Sequence, residues 1–255
     1  MKANTHLHDI SVNINKESIL MKKLTNILAS LLFAVTFSSI AQAGSINVGV
    51  SGSLASIDAS GTEKDTDGSA DTSTRTASVE HNNVPIGGLF LEYESDFYGL
   101  TLGFTHTPGS ADVSKSAKTR SDVEKSVTDT TTEPSNNRTF KAQAEVENFN
   151  SAYIELPVYQ NFFVKAGLAE IDVNSLETAS GNGGSYGNTS LDGEVFGAGF
   201  KGDIGDNMGF KVLYQVTDFD TLSLTQSGNS VAGESNTITA DMDISELLFA
   251  LSYKF

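Results

Sequence analysis

Seven charged residues are spaced so that they could meet in one narrow interior. Glu92, Glu94, Lys165, Lys211 and Lys254 each lie on the polar side of an apolar/polar alternation, and Glu155 and Glu246 fall in similar settings. Charges taken out of water must be paired and hydrogen-bonded, because an isolated buried charge is costly. Two kinds of chemistry follow from such a set. One is a static polar plug of ion pairs. The other is a gated path, in which Glu and Lys exchange partners and let small ions pass.

Other candidate groups are sparse. Beyond residue 43 the only histidines are His81 and His106. His106 falls near the outer end of a strand, where it could serve as the base of a Ser–His hydrolase if a Ser stood beside it. Thr107 and Pro108 follow it, with no Ser at close spacing, so an isolated interfacial His is expected. Gly181-Asn182-Gly183-Gly184-Ser185-Tyr186-Gly187 fails the dinucleotide pattern at Tyr186 and reads as an outer loop. Asp65-Thr66-Asp67-Gly68-Ser69-Ala70-Asp71 has calcium-ligand residue types but lacks the glutamate of the twelve-residue loop. Its functional alternative to a solvated turn is weak divalent-ion binding, bridging lipopolysaccharide phosphates. No cofactor is expected.

Composition narrows the field. The 255 residues include 32 acidic and 16 basic side chains, a net charge of −16, with no Cys, no Trp and four Pro. Without Cys there is no disulfide framework, thiolate zinc site or cysteine nucleophile. So acidic a chain does not attract a phosphate backbone, so no nucleic-acid partner is expected. The mean hydropathy of −0.15 resembles that of a soluble protein.

The N-terminal part reads as a targeting segment. Met21-Lys22-Lys23 precedes an apolar run from Leu24 to Phe37, and Ala41-Gln42-Ala43 closes it. A basic start, a short apolar run and a small-x-small site are the order of a secretory signal peptide. Residues 1–20 lack periodicity and read as an over-extended start, 21–43 as the signal peptide and 44–255 as one exported domain. Removing the four Lys and two acids of residues 1–43 leaves 12 basic and 30 acidic residues, a net −18.

Period-two alternation dominates the exported part. Ile46, Val48, Val50 and Leu54 share one face, as do Leu89, Leu91 and Tyr93, and Leu100, Leu102 and Phe104. The same holds for Phe162, Val164, Ala166 and Leu168, for Phe210, Val212, Tyr214 and Val216, and for Leu247, Phe249, Leu251, Tyr253 and Phe255. Segments 142–156 and 191–202 are less regular, and a bulge could switch faces in either. That makes eight strands. Short connections (95–99, 157–161, 202–207) alternate with long polar ones at roughly 58–83, 107–139, 174–190 and 218–236. Four long loops at one end, with one uncharged face in each of the six regular strands, predict an all-β fold: an eight-stranded antiparallel up-and-down transmembrane β-barrel. Phe97, Tyr98, Tyr159, Phe162, Phe163, Phe200, Phe210, Tyr253 and Phe255 cluster at the short connections, as an aromatic girdle would. A soluble lipocalin-like barrel is the competing architecture.

The last segment, Leu247-Leu248-Phe249-Ala250-Leu251-Ser252-Tyr253-Lys254-Phe255, resembles the C-terminal signature of Gram-negative outer-membrane proteins. Phe162–Leu168 and Val195–Phe200 resemble strands of the small eight-stranded outer-membrane barrel family, which includes the membrane domain of outer membrane protein A. The resemblance implies that Leu247, Phe249, Leu251, Tyr253 and Phe255 are read by the barrel-assembly machinery. It also implies contact with outer-membrane lipid and lipopolysaccharide. Some relatives carry a cell-wall-binding domain after the barrel; here the chain stops at Phe255, so such a tether is not expected. The expected function is a non-enzymatic, structural or surface-interacting barrel. The alternatives are a narrow porin-like channel and an outer-membrane lipid-modifying enzyme.

Overall fold

The computed structural model describes residues 44–66, 72–96, 98–123, 137–176, 178–179, 185–227 and 235–255. The targeting segment, Phe97, the stretch 67–71 and most of the 181–187 loop lie outside the described residues. Among the described residues there are twelve strands: β1 (Gly44–Thr66), β2 (Thr72–Ser95), β3 (Thr101–Asp112), β4 (Lys118–Val123), β5 (Asn137–Ala142), β6 (Ala144–Tyr159), β7 (Phe162–Ser175), β8 (Thr178–Ala179), β9 (Thr189–Ile204), β10 (Met208–Phe219), β11 (Leu222–Thr225) and β12 (Ser235–Lys254).

Eight of them form a closed antiparallel ring in the order β1-β2-β3-β6-β7-β9-β10-β12, and β12 pairs back onto β1. Closure includes the last residue, whose Phe255 N–H donates to the Ile46 carbonyl at 2.9 Å. Apart from β11 on β12, the remaining short strands β4, β5 and β8 make a small separate sheet.

The two irregular segments resolve in different ways. In β6 the register shifts between Glu147 and Asn150, and Asn148 takes a left-handed φ of 52°. That bulge lets Phe149, Ser151, Tyr153 and Glu155 point inward while Ile154 and Leu156 point outward. In β9, Val195 is buried and Phe196 exposed, which puts Lys201 on the inward side.

The long connections differ from expectation. β1 runs 23 residues to Thr66 and β2 starts at Thr72, so most of the expected 58–83 loop is a hairpin extension. Strand structure also enters the other three expected loops, as β3 to Asp112 with β4 and β5, as β8, and as β11 with the start of β12. About 9–11 tilted residues cross a bilayer, so β1 is twice as long as a crossing needs. The reason the sequence hides this is a reversal of facing. Near the short turns the outward face is apolar, as at Val50, Leu54, Leu89, Tyr214 and Phe249, each about half exposed. Further along the same strands, apolar residues point inward. Ala55, Ile57, Val84, Phe149, Ile171, Phe219 and Ile244 form one buried cluster. The outward positions there are polar, and the Ser- and Thr-rich extension has no continuous apolar face to signal a strand.

Phe163 is a second correction. It was expected in the girdle but lies inside, 1% exposed, because the girdle face of β7 belongs to Phe162. Phe162, Phe200 and Phe210 do form an outward row, with centroids 5.4 and 5.8 Å apart. Truncating the interior apolar layer by Ile244→Ala should lower unfolding stability by about 2–5 kcal/mol. Urea unfolding of the refolded barrel in lipid vesicles measures this.

Candidate functional site

The interior is built in three levels from the short-turn end. The first is an open vestibule of about 370 Å³ whose walls include Asn47, Glu94, Lys201, Asp203 and Lys254. Lys254 Nζ lies 3.3 Å from Asp203, and Lys201 Nζ lies 3.8 Å from both Glu94 and Glu155. Glu94 and Lys254 are therefore partly solvated mouth residues rather than deep ones.

Lys211 occupies the second level. Its ammonium donates to Glu92 and to Glu155 together. Tyr153 Oη adds a 2.7 Å hydrogen bond to Glu92 Oε1, and Lys201 donates to Thr101 Oγ1 at 2.9 Å. Glu92, Glu155 and Lys211 are all under a tenth exposed. Beside them, Lys165 sits 3.8 Å over the Tyr153 ring and donates to Gln215 Oε1 at 2.8 Å. The Gln215 amide then donates to Glu246 Oε2 at 2.6 Å, and Ser53 donates to Glu246 Oε1 at 2.8 Å. Gln215 thus separates Lys165 from Glu246 and satisfies both.

Room for these side chains comes from inward glycines. A Cβ at Gly103 would stand 2.3 Å from the Tyr153 ring, and one at Gly49 would stand 2.3 Å from Phe90. The third level is the apolar cluster containing Ile57, Phe149, Ile171 and Ile244.

All seven anticipated interior charges therefore have inward-facing positions, five of them buried. The structure also brings in Lys201, Tyr153, Gln215 and Ser53, which charge counting on clean alternations passed over. Lys201 was hidden by the ambiguous facing of its strand, and Gln215 and Ser53 by carrying no charge. A visible signal existed for Gln215: it alternates with Lys211 and Leu213 on the inward face of β10. His106 faces outward, and its Nδ1–H donates to Asn150 Oδ1 at 2.8 Å.

A row of carboxylates marks the outer limit of the outward apolar band. Glu80, Asp58, Asp243, Asp218 and Glu194 are direct cross-strand neighbours on β2, β1, β12, β10 and β9. Like charges placed opposite one another are destabilising. Partial burial, with Asp58 and Asp218 alongside, raises the Asp243 carboxyl above its ordinary value. An acid raised by folding costs stability while charged, and that cost fades as pH falls through the raised value.

No family model matches the chain, and no characterised protein matches it in sequence. Among solved structures it is similar to the outer membrane protein OprG from Pseudomonas aeruginosa, at 12% identity and a TM-score of 0.47, over 84% of this chain and 96% of that one. The outer membrane protease OmpT from Escherichia coli follows at 12% identity and 0.43, over 86% and 100%. Neisserial surface protein A is similar at 10% identity and 0.31, over 82% and 97%.

Two outcomes test the site. Lys211→Met leaves two carboxylates buried without their ammonium and should cost about 3–5 kcal/mol. Adding Glu92→Gln and Glu155→Gln should recover most of that loss in the same urea unfolding assay. Separately, Asp243→Asn should raise the melting temperature at neutral pH and low salt. The gain should shrink as pH falls through the carboxylate range or as salt screens the row.

The eight-stranded antiparallel barrel, with a polar network at the short-turn end and an apolar layer above it, is what this chain's own ladders and packing establish.

Proposed function

We propose that the chain is a non-enzymatic barrel of the Gram-negative outer membrane, exported by its 21–43 segment, with a lumen closed to conduction. Its role is structural or surface-interacting, with the β1–β2 hairpin and its neighbours rising into the medium. The observation that carries this reading is the reversal of facing. Apolar side chains such as Val50, Tyr214 and Phe249 point outward below the carboxylate row, while charges point inward there. A soluble barrel would bury its apolar face along the whole length. Lipid offers backbone groups no partner, and the β1–β12 ladder leaves none open at that level. In this reading the outward Leu247, Phe249, Leu251, Tyr253 and terminal Phe255 serve the barrel-assembly machinery. The outward band meets membrane lipid, and the extension rises past lipopolysaccharide.

A channel is the second reading, favoured by the open vestibule and the exchangeable partners of Lys201 and Lys211. An ion on that route would have to leave the network and cross the layer of Ile57, Phe149, Ile171 and Ile244. Desolvation there costs roughly several kcal/mol per ion, and no paired charge offsets it. The protein should fractionate with outer membranes and migrate differently on gels before and after heating. Planar bilayers should stay silent for the natural chain and for Lys211→Ala. Ohmic steps altered by Lys211→Ala would establish the channel instead, and recovery in the soluble periplasm would end the membrane reading.

A further inference from the structure

One seam of the barrel wall is incomplete. β2 and β3 pair only from Leu89↔His106 to Glu94↔Thr101. Beyond that point both strands continue: β2 stays paired to β1, and β3 to β6 as far as Asp112↔Glu145. They no longer pair with each other. Past that last pair lie Pro108 on β3, next to Thr107, and Pro85 on β2, still opposite Leu54 of β1, and neither has an N–H to donate. Irregular backbone flanks both: Asn83 has φ 60° and Gly109 φ 93°, with register shifts at Ala55/Ser56 and Thr107/Ser110. Further out, His81 Nδ1–H donates to the Asp112 carbonyl at 2.7 Å and ties the two strands together again. The result is a window, framed below by Leu89↔His106 and above by His81.

Behind the window is a cavity of about 60 Å³, lined deep inside by Ile57, Ile86, Phe149, Ile171 and Ile244. Thr107, Ser110 and Glu147 also line it; Ser110 is exposed, and Glu147 is half-buried with its carboxylate accepting from Asn174 Nδ2 at 2.7 Å. One water needs on the order of 10–15 Å³ and two to four polar partners, so the cavity has room for several waters while its deep wall offers them nothing. The window opens at the outer edge of the exposed apolar band, next to Leu54 and Leu89. The outer apolar surface and the apolar cavity are therefore continuous through the seam. Gly87 adds no side chain to obstruct it, with only the Ser51 carbonyl near its Cβ position, at 3.9 Å.

We propose that this window is a lipid-binding site, taking the end of one acyl chain from the surrounding outer leaflet into the cavity at Phe149. The apolar wall receives the chain end, while the head group stays outside with the exposed Ser110 and half-buried Glu147. The proposal rests on the membrane reading above.

The chain has no Trp, so each substitution to Trp gives a single indole, excited at wavelengths beyond the absorption of the seven Tyr. Four variants are reconstituted in phosphatidylcholine vesicles with brominated or ordinary acyl chains, and folding is checked by heat-modifiable migration. Phe249→Trp reports the outward face, and Phe163→Trp reports an interior position behind fully paired wall. Phe149→Trp and Ile86→Trp report the cavity, so either suffices if the other fails to fold. The expected result is strong bromine quenching at 249 and at 149 or 86, with emission at 163 retained. Emission at 149 and 86 retained as well as at 163, with 249 quenched, would overturn the window and leave the membrane reading intact. No quenching at 249 would overturn both.

Discussion

An eight-stranded ring is just wide enough for side chains to fill, so every inward residue must be packed or paired. The rest of the interior follows from that constraint. Where the outside is apolar, polar residues must go inside and satisfy one another. Lys211 bridging Glu92 and Glu155, and Gln215 standing between Lys165 and Glu246, are the solutions used. Large groups such as Tyr153 and Phe90 fit only because Gly103 and Gly49 lie beneath them. Where the outside turns polar, the same narrow bore fills with Ile57, Ile171 and Ile244 instead.

The two halves of the barrel thus obey opposite rules along the same strands. β12 shows it in one line: Leu247, Phe249 and Leu251 face outward, while Met242 and Ile244 a few residues earlier are buried inside. The soluble-looking mean hydropathy of −0.15 averages these two patterns with a polar extension. The acidity is likewise not confined to loops. Asp58, Asp218 and Asp243 sit on the strands and mark the level at which the rule changes.

Much of this was legible in the sequence where one side of a strand is uniformly apolar. Lower β1, β2, β3, β7, β10 and β12 show it, and their inward charges followed directly. What was not legible depends on features that alternation does not encode. The facing of β6 depends on the Asn148 bulge, and β9 carries glycines on one face and small or aromatic residues on the other. The tall hairpin of β1 and β2 has Ser and Thr on both faces, so its ladder is set by pairing partners rather than by burial. The break between β2 and β3 leaves no trace in the alternation, since the ladder simply ends at Leu89↔His106, with Pro85 and Pro108 lying past it on the two strands.

In the proposed membrane setting the outward surface changes from lipid-facing to water-facing along each strand. The chain has no Cys, so single cysteines can be placed at will. The direct measurement is labelling of vesicle-embedded protein by a water-soluble maleimide, at outward positions down β12 and β10. Asp241→Cys and Asp218→Cys should react, and Phe249→Cys and Tyr214→Cys should be protected. Equal reaction at all four positions would contradict that change of surface.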